Sequence, residues 1–337
     1  MKNSTQNFIL IFVSIIICFV IIEIVYRSYL SILKPITIYL PAAKTLNPGG
    51  SGEYRGGHVT LDENGLRNKI DEKALERKYR FLVVGDSVTF GMGVDDDEVF
   101  VHHLNTLYEK RDVGFVNLGV PGLGTEWLRV QLAKHHKRFA PYIGIIWVYN
   151  INDARSNEDY KELSDEVISD EYYSKGSNTI ENYIWPYLKS PTLIKYLLKN
   201  LKDLMFKANA RKNLQWEDYY EMCLQSYSPS SQKAMTEKRY IQQIIQWSQE
   251  AGIPLGFVLV PYTDQFEDRR LEPQKFIKNI LNENNIPYLD LMQEIDNQQM
   301  PVEEYFLPDD HGHLNAEGHK LAAMSIARFI KKMFREE

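Results

Sequence analysis

The sequence predicts a three-layer α/β/α fold with a central parallel sheet of about five strands, preceded by one N-terminal transmembrane helix. Three observations support this prediction: a long apolar segment near the N-terminus, short apolar runs that alternate with helical patterns, and polar motifs directly after those runs. Strands that alternate with helices form parallel sheets covered on both faces. Ligands of such sheets bind beyond the carboxyl ends of the strands, near a switch in strand order.

The composition is that of a globular protein with an acidic balance. Of the 337 residues, 44% are apolar and 25% are charged, and 39 Lys and Arg against 45 Asp and Glu leave a formal charge of −6. This mix argues against wholesale disorder, and the mean hydropathy of −0.36 excludes a polytopic membrane protein. The acidic balance argues against nucleic acid as a partner. The two cysteines, Cys18 and Cys223, form neither a disulfide framework nor a zinc-site pattern.

Residues 8–26 are predicted to be a membrane anchor. The run FILIFVSIIICFVII covers residues 8–22 and is interrupted by Ser14. The 19 positions of residues 8–26 approach the ~20 that a transmembrane helix needs, and Tyr26 and Arg27 are suited to the membrane interface. A cleaved signal peptide is the alternative, but no small-residue cleavage site follows the apolar run.

The orientation of this anchor depends on weaker signals. Lys2 and the α-amino group flank one end while Arg27 and Lys34 flank the other, so the positive charges are nearly balanced. A short N-terminal tail before a single uncleaved segment usually stays inside. We therefore expect residues 1–27 to be the anchor, 28–60 a connector, and 61–337 a large folded domain outside the cytoplasm.

The elements of the folded part follow in order. The connector ends in the glycine-rich residues 49–57, whose composition is typical of a flexible linker. Apolar runs predict five strands, over residues 79–85, 113–118, 143–149, 253–260 and 287–291. Apolar residues at helical spacing predict helices over residues 99–108, 126–136, 236–250, 273–282 and, after an Asn315 cap, 316–333.

Residues 155–235 interrupt this alternation and are predicted to be a helical insertion between the third and fourth strands. The stretch is polar and rich in tyrosine and lysine, with a helical pattern at residues 192–206. Its aromatic side chains could stack on a sugar, but packing within the insertion is the favoured explanation. They are Tyr183, Trp185, Tyr187, Trp216, Tyr219 and Tyr220.

Polar motifs come directly after the first three predicted strands. Ser87 lies in the sequence GDS after the first, Gly122 ends the NLGVPG motif after the second, and Asn152 lies in the NIND motif after the third. Each has an ordinary explanation: a polar turn or helix cap, a Gly/Pro turn, and an Asx turn. Each also fits a nucleophilic site, with an exposed serine, a backbone N–H that a ligand can approach, and an amide that donates to an oxyanion.

The fourth motif, DHGH at residues 310–313, precedes the last predicted helix. Residues i and i+3 in one turn lie close together, so the Asp310 carboxylate can reach the His313 imidazole and stabilise the imidazolium, as a catalytic triad requires. The alternative is a divalent-metal site made by Asp309, Asp310, His311 and His313. A metal site would leave the serine motif unexplained, so we expect none, and His311 is a bystander or a substrate contact.

Taken together, the four motifs resemble the SGNH hydrolase superfamily, also called the GDSL family, from about residue 60 to the C-terminus. The resemblance implies a flavodoxin-like three-layer fold and a serine-dependent acyl hydrolase that needs no cofactor. Matched residue by residue, it places the nucleophile at Ser87 and the rest of the triad at Asp310 and His313. It places the oxyanion hole at the Ser87 N–H, Gly122 and Asn152.

Two departures and two further similarities accompany the resemblance. Asn150 stands where the third motif usually has glycine, and Val88 stands where the family name expects leucine. The stretches NGLR at residues 64–67 and GMGV at 91–94 are similar to a membrane-anchored bacterial branch of the family.

The resemblance and the anchor together indicate a substrate class. We expect an esterase that acts on O-acyl esters, O-acetyl esters above all, of a cell-envelope carbohydrate, with a lipid as the other substrate class. An O-acetyltransferase would use the same triad and differ in whether water or a sugar hydroxyl attacks the acyl-enzyme. If the protein is not an enzyme, the alternative is a membrane-tethered glycan-binding or assembly protein. The oligomeric state is not indicated.

Overall fold

The computed structural model describes residues 11–15, 17–18, 20–25, 39–40, 45–46, 48–157, 216–308 and 310–334. Contacts divide the chain into two compact units, Met1–Pro35 with Ser169–Gln215, and Ile36–Ile168 with Trp216–Glu337. The central sheet and the candidate site belong to the second unit. Residues 158–215, with Tyr183, Trp185, Tyr187 and the predicted helical pattern at 192–206, lie outside the described residues.

The predicted membrane segment is described only in part. Its residues 11–15, 17–18 and 20–25 are helical, and their large apolar side chains are exposed. Within the part of the chain that the structure describes, no helix combines the length and apolarity needed to cross a membrane.

Five parallel strands form the central sheet. They are β1 Tyr79–Val84, β2 Val113–Asn117, β3 Gly144–Asn150, β4 Leu255–Val260 and β5 Tyr288–Asp290. Every neighbouring pair is parallel, and the order across the sheet is β2-β1-β3-β4-β5. Each predicted strand is present within two residues at either end, so the predicted α/β fold with a five-stranded parallel sheet is confirmed.

Eleven α-helices of the described residues have defined bounds. They are α1 Glu72–Leu75, α2 Ser87–Phe90, α3 Phe100–Leu107, α4 Thr125–His135, α5 Asp153–Ser156, α6 Trp216–Gln225, α7 Gln232–Ala251, α8 Asp264–Asp268, α9 Glu272–Glu283, α10 Leu291–Asp296 and α11 Ala316–Phe334. The five predicted helices are confirmed as α3, α4, α7, α9 and α11. Asn315 caps the last of them, because its Oδ1 accepts from the Gly318 N–H at 3.0 Å.

Helices bury both faces of the sheet, and the strands are apolar on both sides for that reason. On one face, Phe81 and Ile146 pack with residues of α3, α10 and α11. On the other, Leu82 and Trp147 pack with residues of α4, α7 and α9. The described core therefore has three layers, with the sheet in the middle.

The end of the predicted connector is ordered. Ser51–Tyr54 and Gly57–Thr60 pair as an antiparallel hairpin instead of the flexible linker that the glycine content predicted. Val59 of the hairpin is fully buried in a small cluster with Phe90, the last residue of α2. The hairpin is thus packed against the helix that follows the first sheet strand.

The strand order creates a crevice at the carboxyl edge of the sheet. The chain leaves β1 toward β2 on one side, then returns to place β3 on the other side of β1. Connections therefore diverge after β1 and β3, and such a switch point leaves a crevice where ligands bind. Ser87 follows β1 and Asn152 follows β3, so both lie at this crevice.

Candidate active site

Ser87 is held by a tight turn between β1 and α2. Asp86 caps the short helix, because its Oδ1 accepts from the Val88 N–H at 3.0 Å. The turn requires Gly85, since a Cβ there would lie 2.1 Å from Thr89 Oγ1 and 2.9 Å from the carbonyl oxygen of Val148. The helix ends at Gly91 with φ +82°, a conformation that favours glycine.

The structure brings Ser87, His313 and Asp310 together. The Ser87 Oγ lies 2.8 Å from His313 Nε2, and His313 Nδ1 lies 2.8 Å from both carboxylate oxygens of Asp310. Because a carboxylate can only accept, Nδ1 carries the imidazole proton and Nε2 is the acceptor for the serine hydroxyl. These contacts form a continuous hydrogen-bonded chain from the hydroxyl to the carboxylate.

The Asp310 carboxylate is stabilised in its ionised form. Burial by itself would raise the pKa of Asp310, but the hydrogen bond and charge of His313 and the backbone N–H groups of Gly312 and His313 outweigh burial and lower it. Those two N–H groups donate to Asp310 Oδ1 at 3.0 and 3.1 Å. The side chain therefore accepts from both the backbone and the ring of its own turn.

Gly122 lies in a loop beside the serine turn. The Val120 N–H donates to the Gly85 carbonyl at 3.1 Å, and a Cβ on Gly119 would lie 2.3 Å from the backbone nitrogen of Phe90. Gly122 itself has φ +76°, and a Cβ there would meet no atom of the described residues within 4 Å. The left-handed backbone conformation explains why glycine occupies this position.

Asn152 is nearly buried and points toward the serine turn. Its Nδ2 donates to Asp86 Oδ2 at 3.3 Å, and the Ser87 hydroxyl lies 3.3 Å from the same oxygen. This contact fixes which end of the Asn152 amide is the nitrogen. One N–H bonds to Asp86, and the second remains for a ligand.

The unusual Asn150 fits the loop without strain. It is the last residue of β3 and does not have a positive φ. The backbone at this position therefore does not require the glycine of the usual motif. Its Oδ1 accepts from the Ile151 N–H at 2.7 Å. The side chain therefore stabilises the turn that leads to Asn152.

His311 has partners other than the serine. Its Nδ1 lies 2.9 Å from Asp264 Oδ2, and its ring stacks on Trp216 at a centroid distance of 4.5 Å. Trp216 also packs against Tyr219 and Tyr262. For Trp216 and Tyr219 of the predicted insertion, the favoured packing explanation therefore fits the contacts.

Metal ligation has no support among the described residues. No group of three His, Cys, Asp or Glu side chains in those ranges could hold a metal ion. Asp309, one of the alternative ligands, lies outside the described residues.

The sequence alone did not reveal the residues whose hydrogen bonds hold the loops around Ser87 in place. The Arg67 guanidinium is buried and donates to the carbonyl oxygens of Phe90, Gly91 and Val94, and it pairs with Asp96 at 2.7 Å. It thereby holds the loop that follows α2. The NGLR stretch was the available signal, but the sequence alone gave it no structural role.

Asn68 supports the second motif in a similar way. Its side chain bonds to both backbone groups of Asn117, accepting at 2.8 Å and donating at 3.0 Å. The Asn117 side chain in turn donates to the Thr89 carbonyl at 2.9 Å and accepts from the Gly119 N–H at 2.8 Å. These bonds join α2 to the loop that carries Gly122.

A parallel sheet with a serine, a histidine and a carboxylate hydrogen-bonded in sequence at its carboxyl edge is typical of enzymes that cleave acyl esters. The family model of the GDSL-like Lipase/Acylhydrolase family matches residues 83–321. The chain belongs to this family and is an ester-hydrolysing enzyme. No curated protein matches the sequence.

Several solved structures are similar to the chain at low sequence identity. A lipase/acylhydrolase from Enterococcus faecalis is 17% identical with a TM-score of 0.42, over 75% of this chain and 96% of that one. The psychrotrophic esterase EstA from Pseudoalteromonas sp. is 11% identical with a TM-score of 0.43, over 76% and 99%. A catalytic mutant of an acetylxylan esterase from Geobacillus stearothermophilus is 14% identical with a TM-score of 0.42, over 75% and 94%.

Proposed function

We propose that the protein is a serine esterase in which Ser87 is the nucleophile, His313 the general base and Asp310 the residue that orients the histidine. The observation that carries the proposal is the hydrogen-bonded chain of these three side chains, with 2.8 Å between Ser87 Oγ and His313 Nε2. A serine hydroxyl is a weak nucleophile until an adjacent base takes its proton. His313 is within reach to do so.

In this mechanism, Ser87 Oγ attacks the carbonyl carbon of the ester while His313 Nε2 takes the hydroxyl proton. The tetrahedral intermediate collapses when His313 returns that proton to the leaving alcohol, which leaves the acyl group on Ser87. Water then attacks the acyl-enzyme, His313 takes its proton, and the carboxylic acid departs as Ser87 regains its hydrogen. Asp310 stabilises the imidazolium that forms in both halves.

The oxyanion of each intermediate requires donors that are already oriented. We assign this role to the N–H groups of Ser87 and Gly122 and to the free N–H of the Asn152 amide. Such donors act on charge that develops in the transition state, and each contributes about 10²–10³ in rate. The bond from Asn152 to Asp86 orients the amide before substrate arrives.

The sequence supports a more specific proposal about substrate and location. We propose that residues 8–26 anchor the chain in a membrane as in a bacterial, membrane-anchored branch of the family, with the catalytic domain outside the cytoplasm. An enzyme held there meets the cell envelope, so we propose O-acyl esters of an envelope carbohydrate, O-acetyl esters first, as substrates. Transfer to a sugar hydroxyl shares every step up to the acyl-enzyme, and the products formed with an added sugar acceptor distinguish transfer from hydrolysis.

A fluorophosphonate probe tests the proposed nucleophile directly, because it reacts with activated serines. Purified full-length protein is treated with the probe, and the labelled residue is located by peptide mapping. We expect labelling at Ser87, none in Ser87→Ala, and a loss of at least a hundredfold in labelling rate in His313→Ala.

His311→Ala is the matched control, since His311 is two residues away but bonds to Asp264. It should label at close to the wild-type rate. Folded wild-type protein that stays unlabelled would contradict Ser87 as the activated nucleophile, and labelling that does not depend on His313 would contradict His313 as the base.

A further inference from the structure

A buried carboxylate on α7 contacts two segments that lead to the active site. Glu237 is completely buried. Its Oε1 accepts from the Thr125 hydroxyl at 2.5 Å, and its Oε2 accepts from Asn157 Nδ2 at 2.5 Å. Both oxygens of the carboxylate are therefore used, and each bond goes to a different segment of the chain.

The two partners of Glu237 lie close in sequence to the two proposed oxyanion donors outside α2. Thr125 is the first residue of α4 and comes three residues after Gly122. Asn157 is the C-cap of the single-turn helix α5, whose N-cap is Asn152. Gly122 is thus three residues from one Glu237 contact, and Asn152 is five residues from the other.

The same two segments also contact each other around Glu237. Asn157 Oδ1 accepts from the Glu126 N–H at 3.0 Å, and a Cβ on Gly124 would lie 2.6 Å from Asn157 Oδ1 and 2.7 Å from the Asp153 carbonyl oxygen. The contact is too close for any other residue at position 124. Glu237 and this contact make the two segments one rigid unit.

Removal of a carboxyl group from water costs free energy, and hydrogen bonds offset only part of that cost. Glu237 therefore stabilises the fold less than an apolar residue of similar size would. Burial raises the pKa of Glu237 to about 7, while the hydrogen bonds from Thr125 and Asn157 act in the opposite direction. An apolar residue would fill the same space on α7 but could not bond to both segments. The hydrogen bonds are what distinguish this residue from its core neighbours.

We propose that Glu237 is a positioning residue that sets the separation of the Gly122 N–H and the Asn152 amide. This inference rests on the proposed function, because it assigns Glu237 to the geometry of the proposed oxyanion hole. The hydrogen bonds of Glu237 go to Thr125 and Asn157, through which it acts on the two donors. Since misplacement of catalytic groups by about 1 Å can cost 10²-fold in rate, loss of both bonds should lower kcat.

The test compares Glu237→Ala with Glu237→Gln in the full-length protein on a chromogenic acetate ester. In Glu237→Gln, the side-chain oxygen can accept from Asn157 and the amide can donate to the Thr125 hydroxyl, so both links are retained. We expect kcat to fall about 10- to 100-fold in Glu237→Ala, with KM within about twofold, and to recover to within about threefold of wild type in Glu237→Gln.

Ile244→Ala is the control for a loss of stability. Ile244 is buried on the same helix, seven residues or about two turns from Glu237, and has an apolar side chain that makes no hydrogen bond. It should lower the unfolding midpoint yet leave kcat close to wild type at a temperature where the protein is folded. If Glu237→Ala does not fold, Thr125→Val removes one of the two bonds and should lower kcat several-fold with KM unchanged.

Two outcomes would overturn the inference. The first is a wild-type kcat in folded Glu237→Ala, or in Thr125→Val if that variant is used in its place. The second is a loss of kcat in Glu237→Gln as large as the loss in Glu237→Ala. Ser87→Ala, measured in parallel, separates this failure from that of the proposed function. If hydrolysis does not depend on Ser87, the proposed function fails. If it depends on Ser87 but not on Glu237, only the inference fails.

Discussion

The two carboxylate oxygens of Asp86 bond to two different segments beside Ser87. Oδ1 caps α2 through the Val88 N–H, and Oδ2 accepts from the Asn152 amide. A helix cap was the ordinary explanation of the GDS motif, and the structure shows that the cap is present. The second contact joins residues 66 positions apart, so no local pattern in the sequence reveals it.

The amide of Asn152 provides a prediction at the scale of one residue. Asn152→Ala removes a proposed oxyanion donor. On that proposal, kcat should fall about 10²–10³-fold, or roughly 3–4 kcal/mol of transition-state stabilisation, with little change in KM. Steady-state kinetics on an acetate ester measure both constants.

Asn150→Ala is the control, because within the described part of the chain the Asn150 side chain bonds only to the Ile151 N–H. It should keep kcat within a few-fold of wild type. A large loss of kcat in the control, or none in Asn152→Ala, would remove Asn152 from the oxyanion hole.

The loop between β2 and α4 depends on two glycines for different reasons. A Cβ at position 119 would lie 2.3 Å from the Phe90 backbone nitrogen, whereas one at position 122, with φ +76°, would meet no atom of the described residues within 4 Å. Replacement of the first forces the loop away from α2. Replacement of the second strains only the backbone.

We predict that Gly119→Ala and Gly122→Ala affect the protein in different ways. Gly122→Ala should lower the free energy of unfolding by about 1–2 kcal/mol, the cost of a Cβ in left-handed backbone, and should lower kcat because the residue 122 N–H turns away from the oxyanion. Gly119→Ala should cost at least the 1–3 kcal/mol typical of overpacking. Urea unfolding and ester hydrolysis measure the two effects.

Gly252→Ala is the control for the backbone strain that Gly122→Ala introduces. Gly252, the C-cap of α7, has φ +64° and likewise nothing within 4 Å of its Cβ position. It should show the same stability cost with unchanged kcat. Equal loss of kcat in both variants would mean that the backbone at Gly122 has no role in catalysis.

The hairpin before the sheet shows how an element can be missed. Glycines in residues 49–57 predicted flexibility, but residues 57–61 alternate between buried and exposed side chains, with Val59 and Leu61 inside. This period-two pattern is the signal of a half-buried strand. The glycine content hid this pattern. The hairpin packs on Phe90, 31 positions after Val59, so nothing nearby in the sequence indicates the surface that buries it.

At the scale of the whole molecule, the buried Glu237 makes folding stability depend on pH. Burial raises its pKa from 4.5 to about 7, with the hydrogen bonds from Thr125 and Asn157 opposing. The folded state therefore holds the proton to higher pH than the unfolded state. The protonated Glu237 therefore favours the folded state fully below pH about 4.5. As pH rises to about 7, this contribution is lost, and the free energy of unfolding falls by roughly 3 kcal/mol.

Glu237→Gln removes this titration, so its unfolding free energy relative to wild type should increase between pH 5 and pH 8 by up to about 3 kcal/mol. Urea unfolding at several pH values measures the difference. Glu250→Gln, at an exposed position of the same helix, should stay within about 0.5 kcal/mol of wild type throughout. A difference for Glu237→Gln that does not change with pH would contradict the raised pKa.

Much of the fold could be predicted because its signals are local. Strands such as β3 and β4 are continuously apolar since both faces are buried, and Asp310 and His313 are near enough in sequence to predict their contact. The structure also places Ser87 against His313, as their motifs predicted, while the catalytic roles stay predictions. The Glu237 bond to Thr125 spans 112 residues, and only the packing of α7 on α4 creates it.

The distance along the chain between Ser87 and His313 has a consequence for biosynthesis. The two residues are 226 positions apart, so at about 5–20 residues per second about 11 to 45 s separate their synthesis. Under the proposed mechanism, the nascent chain carries a serine without its base for that whole period. Under that mechanism, ester hydrolysis can begin only after His313 has left the ribosome and packed against Ser87.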